Sequence, residues 1–170
     1  MKKVYVRLII LFILLVFLQI WLFDNIHLFG FATPLLYIYF LIKLPIRVNR
    51  NIVMFLSAFL GFIIDIFGSA LGLTMLVMVI SGFLRYYLVK LFIPRDIIDD
   101  CIPSFDSLGK FVFLRYAGAI TLIQVFLLYS IESFSLFNPL LLLLRIASSF
   151  TLTFLLIFAF ESIKIDAFKK

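Results

Sequence analysis

The chain is poor in the residues from which catalytic and metal sites are usually built. Among its 170 residues there is one cysteine, Cys101, and one histidine, His27, which excludes an intramolecular disulfide and a histidine-rich metal site. The HExxH zinc pattern, a phosphate-binding GxxxxGK[ST] loop and an ordered Ser–His–Asp triad are also missing from the sequence. We therefore expect a protein that is not an enzyme and that has no cofactor.

Charged residues are scarce as well, at 14%, whereas 65% of the residues are hydrophobic. A soluble domain is usually about 45–50% apolar, so this excess predicts that lipid surrounds the chain. The sequence predicts an all-α, polytopic membrane protein with a single domain over residues 1–170. Its six predicted spans lie at about 6–23, 28–46, 52–67, 73–93, 111–129 and 139–160.

The positive charges indicate how these spans are oriented. If the spans are threaded alternately from a cytoplasmic N-terminus, every Lys and Arg except Arg145 falls on or near the cytoplasmic side. Both termini are thus predicted to be cytoplasmic. The net charge of +6 is then explained by short loops beside the spans, which favours membrane lipids over nucleic acid as partners.

The second apolar stretch is irregular. Thr33 and Pro34 are typical of a helix N-cap followed by the first helical residue. A helix from Pro34 to Ile46 would rise only about 20 Å, which is short for a hydrocarbon core of about 30 Å. We therefore expect the preceding segment, LFGFAT, to enter as a second short piece that is tolerated only if protein buries it.

Small and acidic residues share one face of the third predicted span. Ser57, Gly61 and Asp65 follow each other at intervals of four, as in a helix–helix contact face within lipid. Asp65 is expected to form a structural ion pair or, alternatively, an ion or substrate site. A partner's single helix is expected to pack against the groove that Ser57 and Gly61 offer.

Two arginines also fall inside predicted spans. Arg145, Ser149 and Thr153 form a stripe that is expected to face protein, and the similar depth of Asp65 suggests an Asp65–Arg145 ion pair, with Glu132 as the competing partner of Arg145. Arg85 is expected to snorkel to the cytoplasmic headgroups.

The stretch GFIIDIFGSALGLTMLVMVISGFLRYYLVKL, residues 61–91, resembles the central signature of the rod shape-determining protein MreD family. The pattern places its small and acidic residues at Gly61, Asp65, Gly68, Gly72 and Gly82. The segments at 24–45 and 94–96 resemble the Bacteroidota branch of that family, as does RYAGAITLIQVFLLYSIESFS followed by NPLLLLLRIASS. Thr74 departs from the pattern, because the family often has a histidine there.

The resemblance implies a non-enzymatic scaffold in the inner membrane of a bacterium, with an outline similar to that of the substrate-binding subunits of energy-coupling-factor vitamin transporters. It further implies direct binding to MreC and a complex with MreB, RodA and a peptidoglycan transpeptidase, in which rod shape is maintained. The loop at 94–110 is then a candidate docking site for a cytoplasmic partner. The sequence leaves open whether the protein forms a homodimer.

Two other functions remain as alternatives. A transporter subunit that binds a vitamin-like molecule would explain six spans and an irregular second span. However, the first span has no Gly, Ala or Ser, which many such subunits use to dock their coupling partner. An ion channel would require rings of charge or a carbonyl filter, and the sequence favours neither.

Overall fold

The structure is a computed structural model that describes residues 2–23, 33–68, 72–94, 101–133 and 139–168. Within these ranges the chain forms α-helices and no β-strand. The helices are α1 (Lys2–Leu18), α2 (Ile38–Lys43), α3 (Arg50–Phe67), α4 (Leu73–Phe92), α5 (Phe105–Leu108), α6 (Lys110–Glu132) and α7 (Pro139–Phe168). A single π-helical turn, Gln19–Phe23, follows α1 directly. The predicted outer loop at 24–27, the middle of the turn at 68–72 and residues 95–100 lie outside the described residues.

Four of the helices are long and apolar enough to cross a membrane. They are Arg50–Phe67, Leu73–Phe92, Lys110–Glu132 and Pro139–Ser162, with 18 to 24 residues each. At about 1.5 Å per residue they rise roughly 27–36 Å, which matches a hydrocarbon core of about 30 Å. A shorter apolar helix, Leu8–Trp21, lies within the first helical segment. Four of the six predicted spans thus coincide with helices able to cross a membrane.

The helix α2 lies in the middle of the bundle, and all six of its residues are buried. A helix that is apolar on every side is stable only when other elements surround it, and here α1, α6 and α7 do so. The expectation that a helix begins at Pro34 is wrong, because α2 starts only at Ile38 and Thr33 does not cap it. Residues 33–35 are not helical, and side chains of neighbouring elements satisfy backbone groups of these three residues.

The helices α3 and α4 form a closely packed antiparallel hairpin. A Cβ atom added at Gly61 would lie 2.5 Å from the Cα of Met75, and one added at Gly82 would lie 2.8 Å from the Ser57 Oγ. Small residues are thus required on both helices. The predicted contact face at Ser57 and Gly61 is therefore occupied by α4, which corrects the expectation that a partner's helix packs there.

The second half of the predicted loop at 94–110 folds back onto the bundle. Ser104 caps the short helix α5 in a reciprocal arrangement with Ser107. Phe105 is buried against the rings of Phe113 in α6 and Phe158 in α7. This part of the loop therefore closes one end of the bundle, which reduces the surface that it offers to a docking partner.

Candidate functional site

Among the described residues, a buried ion pair joins α2 to α7. The Lys43 Nζ lies 2.7 Å from the Glu161 Oε1, and both side chains are at most 5% exposed. The Tyr39 hydroxyl donates to the Glu161 Oε2 at 2.6 Å, and the Phe105 N–H donates to the Oε1 at 3.3 Å. Both carboxylate oxygens are therefore hydrogen-bonded, as a buried charge requires.

The lysine of this pair is equally well enclosed. Its Nζ donates to the Pro103 carbonyl at 2.7 Å and lies 5.2 Å from the centre of the Phe113 ring and 5.5 Å from that of Tyr39. Pro103 and Phe105 belong to the folded loop, so the loop covers the pair. Because the charges are mutually satisfied and shielded from solvent, the arrangement fixes α2 against α7 rather than offering a reactive group.

The non-helical residues before α2 are held by hydroxyl groups of α6 and α7. The Thr33 N–H donates to the Ser149 Oγ at 3.2 Å, and the Leu35 N–H donates to the Thr153 Oγ1 at 3.1 Å. The Tyr129 hydroxyl bonds with both Ser149 and the Thr33 side chain. Ser149 and Thr153 are fully buried, so they face protein, as the stripe in the sequence indicated.

Gln19 supports the same segment from the other side. Its Nε2 donates to the Pro34 carbonyl at 3.1 Å, and its Oε1 accepts from the Leu36 N–H at 3.0 Å. Gln19 begins the π-helical turn, and such wide turns often occur at functional sites. Irregular backbone inside a membrane protein is tolerated when protein groups satisfy it, and these contacts meet that condition.

Arg85 lies in the interior and does not reach towards headgroups. Arg85 is only 3% exposed. Its Nη2 donates to the Leu44 and Pro45 carbonyls just after α2. The expectation of snorkelling is therefore wrong, because the end of α2 provides carbonyl acceptors inside the bundle. The Nε of Arg85 has no hydrogen-bond partner among the described residues.

The predicted ion pair between Asp65 and Arg145 is not formed between these two described residues. The Asp65 carboxylate instead accepts from the Thr74 N–H at 3.1 Å and the Met75 N–H at 2.8 Å. It thus satisfies free donors at the start of α4, where the helix dipole also favours an anion. The Arg145 Nη1 lies 3.9 Å from the Oε1 of Glu132, the competing partner, and both side chains are well exposed. The expectation that Arg145 faces protein is therefore wrong for this end of the stripe, because its partner Glu132 is itself at the surface.

The remaining predicted residues shape the hairpin and the core. The Gly68 N–H closes α3 by donating to the Ile64 carbonyl at 2.7 Å. Gly72 precedes α4 with a φ of 76°, a conformation that glycine adopts without strain. Gln124 accepts from the Ser81 hydroxyl and donates to the Tyr37 hydroxyl at 3.4 Å, so it joins α6 to α4 and to the residue just before α2.

Sequence reasoning missed Glu161, because the sixth predicted span ends at about residue 160 and the C-terminus that follows is predicted to be cytoplasmic. A signal was present, because Glu161 continues the spacing of Ser149 and Thr153 at intervals of four through Ile157. All four of these residues are at most 2% exposed. The described residues contain no group of three His, Cys, Asp or Glu side chains that is suited to hold a metal ion.

These contacts define a helical protein with four candidate membrane-crossing helices around a short, buried central helix. Comparisons with protein-family models, with curated proteins and with solved structures found no match.

Proposed function

We propose that the chain is a non-enzymatic membrane scaffold of the MreD type, which binds MreC and helps to organise peptidoglycan synthesis during elongation. The observation that carries this proposal is the joint position of the five signature residues. Gly61, Asp65, Gly68, Gly72 and Gly82 all lie in the α3–α4 hairpin.

Each of these residues has a physical role in the hairpin. Gly61 and Gly82 permit close approach of the two helices, Asp65 caps α4, and Gly68 and Gly72 form the ends of the turn. The spacing that carries the resemblance is therefore also the spacing that this hairpin needs. Such agreement supports a shared architecture, and the scaffold function is inferred from it.

We further propose that the membrane domain has six spans and that both termini are cytoplasmic. In this topology α1 with its π-helical turn crosses the membrane. The chain around α2 forms a second crossing inside the bundle, in which only α2 is helical. Support comes from the one-sided distribution of Lys and Arg.

This topology predicts which engineered cysteines react with a membrane-impermeant maleimide added outside intact cells. In a Cys101→Ser background, a cysteine at Ser133 is expected to react, whereas one at Asp106 is expected to react only after the membrane is permeabilised. Labelling in the opposite order would contradict the proposed orientation.

The scaffold function is tested by affinity purification of a tagged copy from gently solubilised native membranes, followed by mass spectrometry. We expect MreC, RodA and a peptidoglycan transpeptidase to be enriched relative to an unrelated inner-membrane protein carrying the same tag. Recovery of ATPase subunits and a coupling protein would instead favour the vitamin-transporter alternative. That alternative has less support, because Thr33, Tyr129 and Ser149 hydrogen-bond to each other where the irregular span meets α6 and α7.

A further inference from the structure

A groove opens beside the buried guanidinium of Arg85, where α3 begins. It is shallow and open on one side, and it lies between the start of α3 and the second half of α4. Arg85 and Arg50 contribute its charged lining, and Ile46, Val53 and Val89 contribute apolar walls. Arg50 also lies over the Phe83 ring, with its Cζ 4.2 Å from the ring centre, which holds this side chain along α4.

The groove contains a buried positive charge that lacks a negative partner. No described carboxylate forms an ion pair with Arg85, and its Nε has no hydrogen-bond partner among the described residues. Carbonyl oxygens satisfy part of the guanidinium but carry no net charge. A buried cation is normally paired with an anion, and this contrasts with Lys43, whose charge Glu161 balances.

The start of α3 adds a second source of positive potential. The Asn49 side chain makes no capping hydrogen bond, so it does not satisfy the donors of the first turn. The positive end of the helix dipole at this start attracts anions. Val48, Arg50 and Val53, which flank this helix start, all line the groove.

We propose that this groove binds the phosphate group of an anionic phospholipid. The phosphate is placed in the groove between the guanidinium groups of Arg85 and Arg50, and the apolar walls accommodate the glycerol end of the acyl chains. A lipid is favoured over a soluble phosphate because the neighbouring faces of α3 and α4 are exposed and apolar, as at Phe55 and Leu91. Basic pockets between membrane helices are a known type of site for lipid headgroups.

This inference rests on the chain lying in a membrane and does not depend on the scaffold function. It is tested by native mass spectrometry of the intact protein in mild detergent, incubated with equal amounts of phosphatidylglycerol and phosphatidylcholine of identical acyl chains. We expect phosphatidylglycerol to be the main retained lipid. Arg50→Gln is expected to lower its retention about fivefold, the effect of one basic residue at a membrane surface.

Lys110→Gln is the matched control, because Lys110 is an exposed cation at the start of α6 that does not line the groove. It is expected to retain the lipid as the unmodified protein does. Equal retention of the two lipids, no retained lipid, or equal losses in the Arg50 and Lys110 variants would overturn the proposal.

Two further measurements identify the ligand and the central residue. Excess inorganic phosphate is expected to leave the retained lipid in place, and displacement of the lipid would show that the site takes a soluble phosphate instead. Arg85→Gln is expected to abolish selective retention in protein that elutes as a folded species on size exclusion. Full retention by folded Arg85→Gln protein would overturn the proposal, and the Arg50 result decides if this variant does not fold.

Discussion

The buried Lys43–Glu161 pair allows a sharp test of how the central helix is held. Lys43→Met removes the cation and leaves a buried carboxylate, whereas Glu161→Gln removes the negative charge and leaves a buried ammonium group. The Gln side chain still offers an oxygen to the Tyr39 hydroxyl, which now donates to the carboxylate at 2.6 Å. The two single variants therefore test the charges and disturb the neighbouring hydrogen bonds as little as possible.

The expected magnitude follows from the burial of both partners, since the two side chains are at most 5% exposed. Removing one partner of such a pair typically costs about 3–5 kcal/mol, because the other charge is left uncompensated. The double variant contains no buried charge at this place, so its free energy of unfolding is expected within about 1 kcal/mol of the unmodified protein, consistent with replacements of whole buried pairs.

The assay is reversible unfolding by SDS in mixed micelles, followed by circular dichroism. Glu132→Gln is the control, because the Arg145–Glu132 contact of 3.9 Å is exposed and exposed pairs contribute only about 0–1 kcal/mol. The reasoning is refuted if the single variants lose no more stability than Glu132→Gln, or if the double variant loses the sum of the two single effects.

The hairpin gives two further predictions that the same unfolding assay checks. Gly61→Ala is expected to lower the free energy of unfolding by about 1–3 kcal/mol, because the added Cβ meets the backbone of Met75. Gly118→Ala is the control and should be tolerated, because its Cβ meets only the Phe154 ring at 3.4 Å. Equal stability of the two variants would contradict the close approach of α3 and α4. Asp65→Ala is expected to cost about 1 kcal/mol by removing the cap of α4, and Asp65→Asn should recover part of it. An Asn variant no more stable than the Ala variant would count against capping.

The apolar helices and the broken second stretch were predictable from the sequence. Runs of apolar residues of membrane-spanning length identify such helices because length and hydropathy are local properties. The distance from Pro34 to Ile46 also showed that one helix there would be too short. The start of α2 was not predictable, since it depends on hydrogen bonds that the backbone donates to Gln19 and Thr153, which are distant in sequence.

The charged groups of the interior were harder to predict. The distribution of Lys and Arg indicates which side of the membrane a residue is near. It does not distinguish a solvent-exposed cation in a loop from a cation that is buried beneath a loop. This distribution predicts Lys43 on or near the cytoplasmic side and Arg85 near the headgroups, whereas both are buried. Burial of each depends on acceptors supplied by other elements, namely Glu161 for Lys43 and the Leu44 carbonyl for Arg85.

One polar stripe on α7 explains how the mostly non-helical segment around α2 can lie in the middle of an apolar bundle. From one end to the other, Ser149 accepts from Thr33, Thr153 accepts from Leu35, and Glu161 bonds with Tyr39 and Lys43. The contacts advance in the same direction along α7 and along the central segment. α7 therefore supplies hydrogen bonds that a longer central helix would have made within itself. Because much of the rest of α7 is exposed and apolar, this helix faces lipid on one side and holds the central segment on the other. Its polar stripe is thus the feature that lets a helix of only six residues lie buried among the other helices.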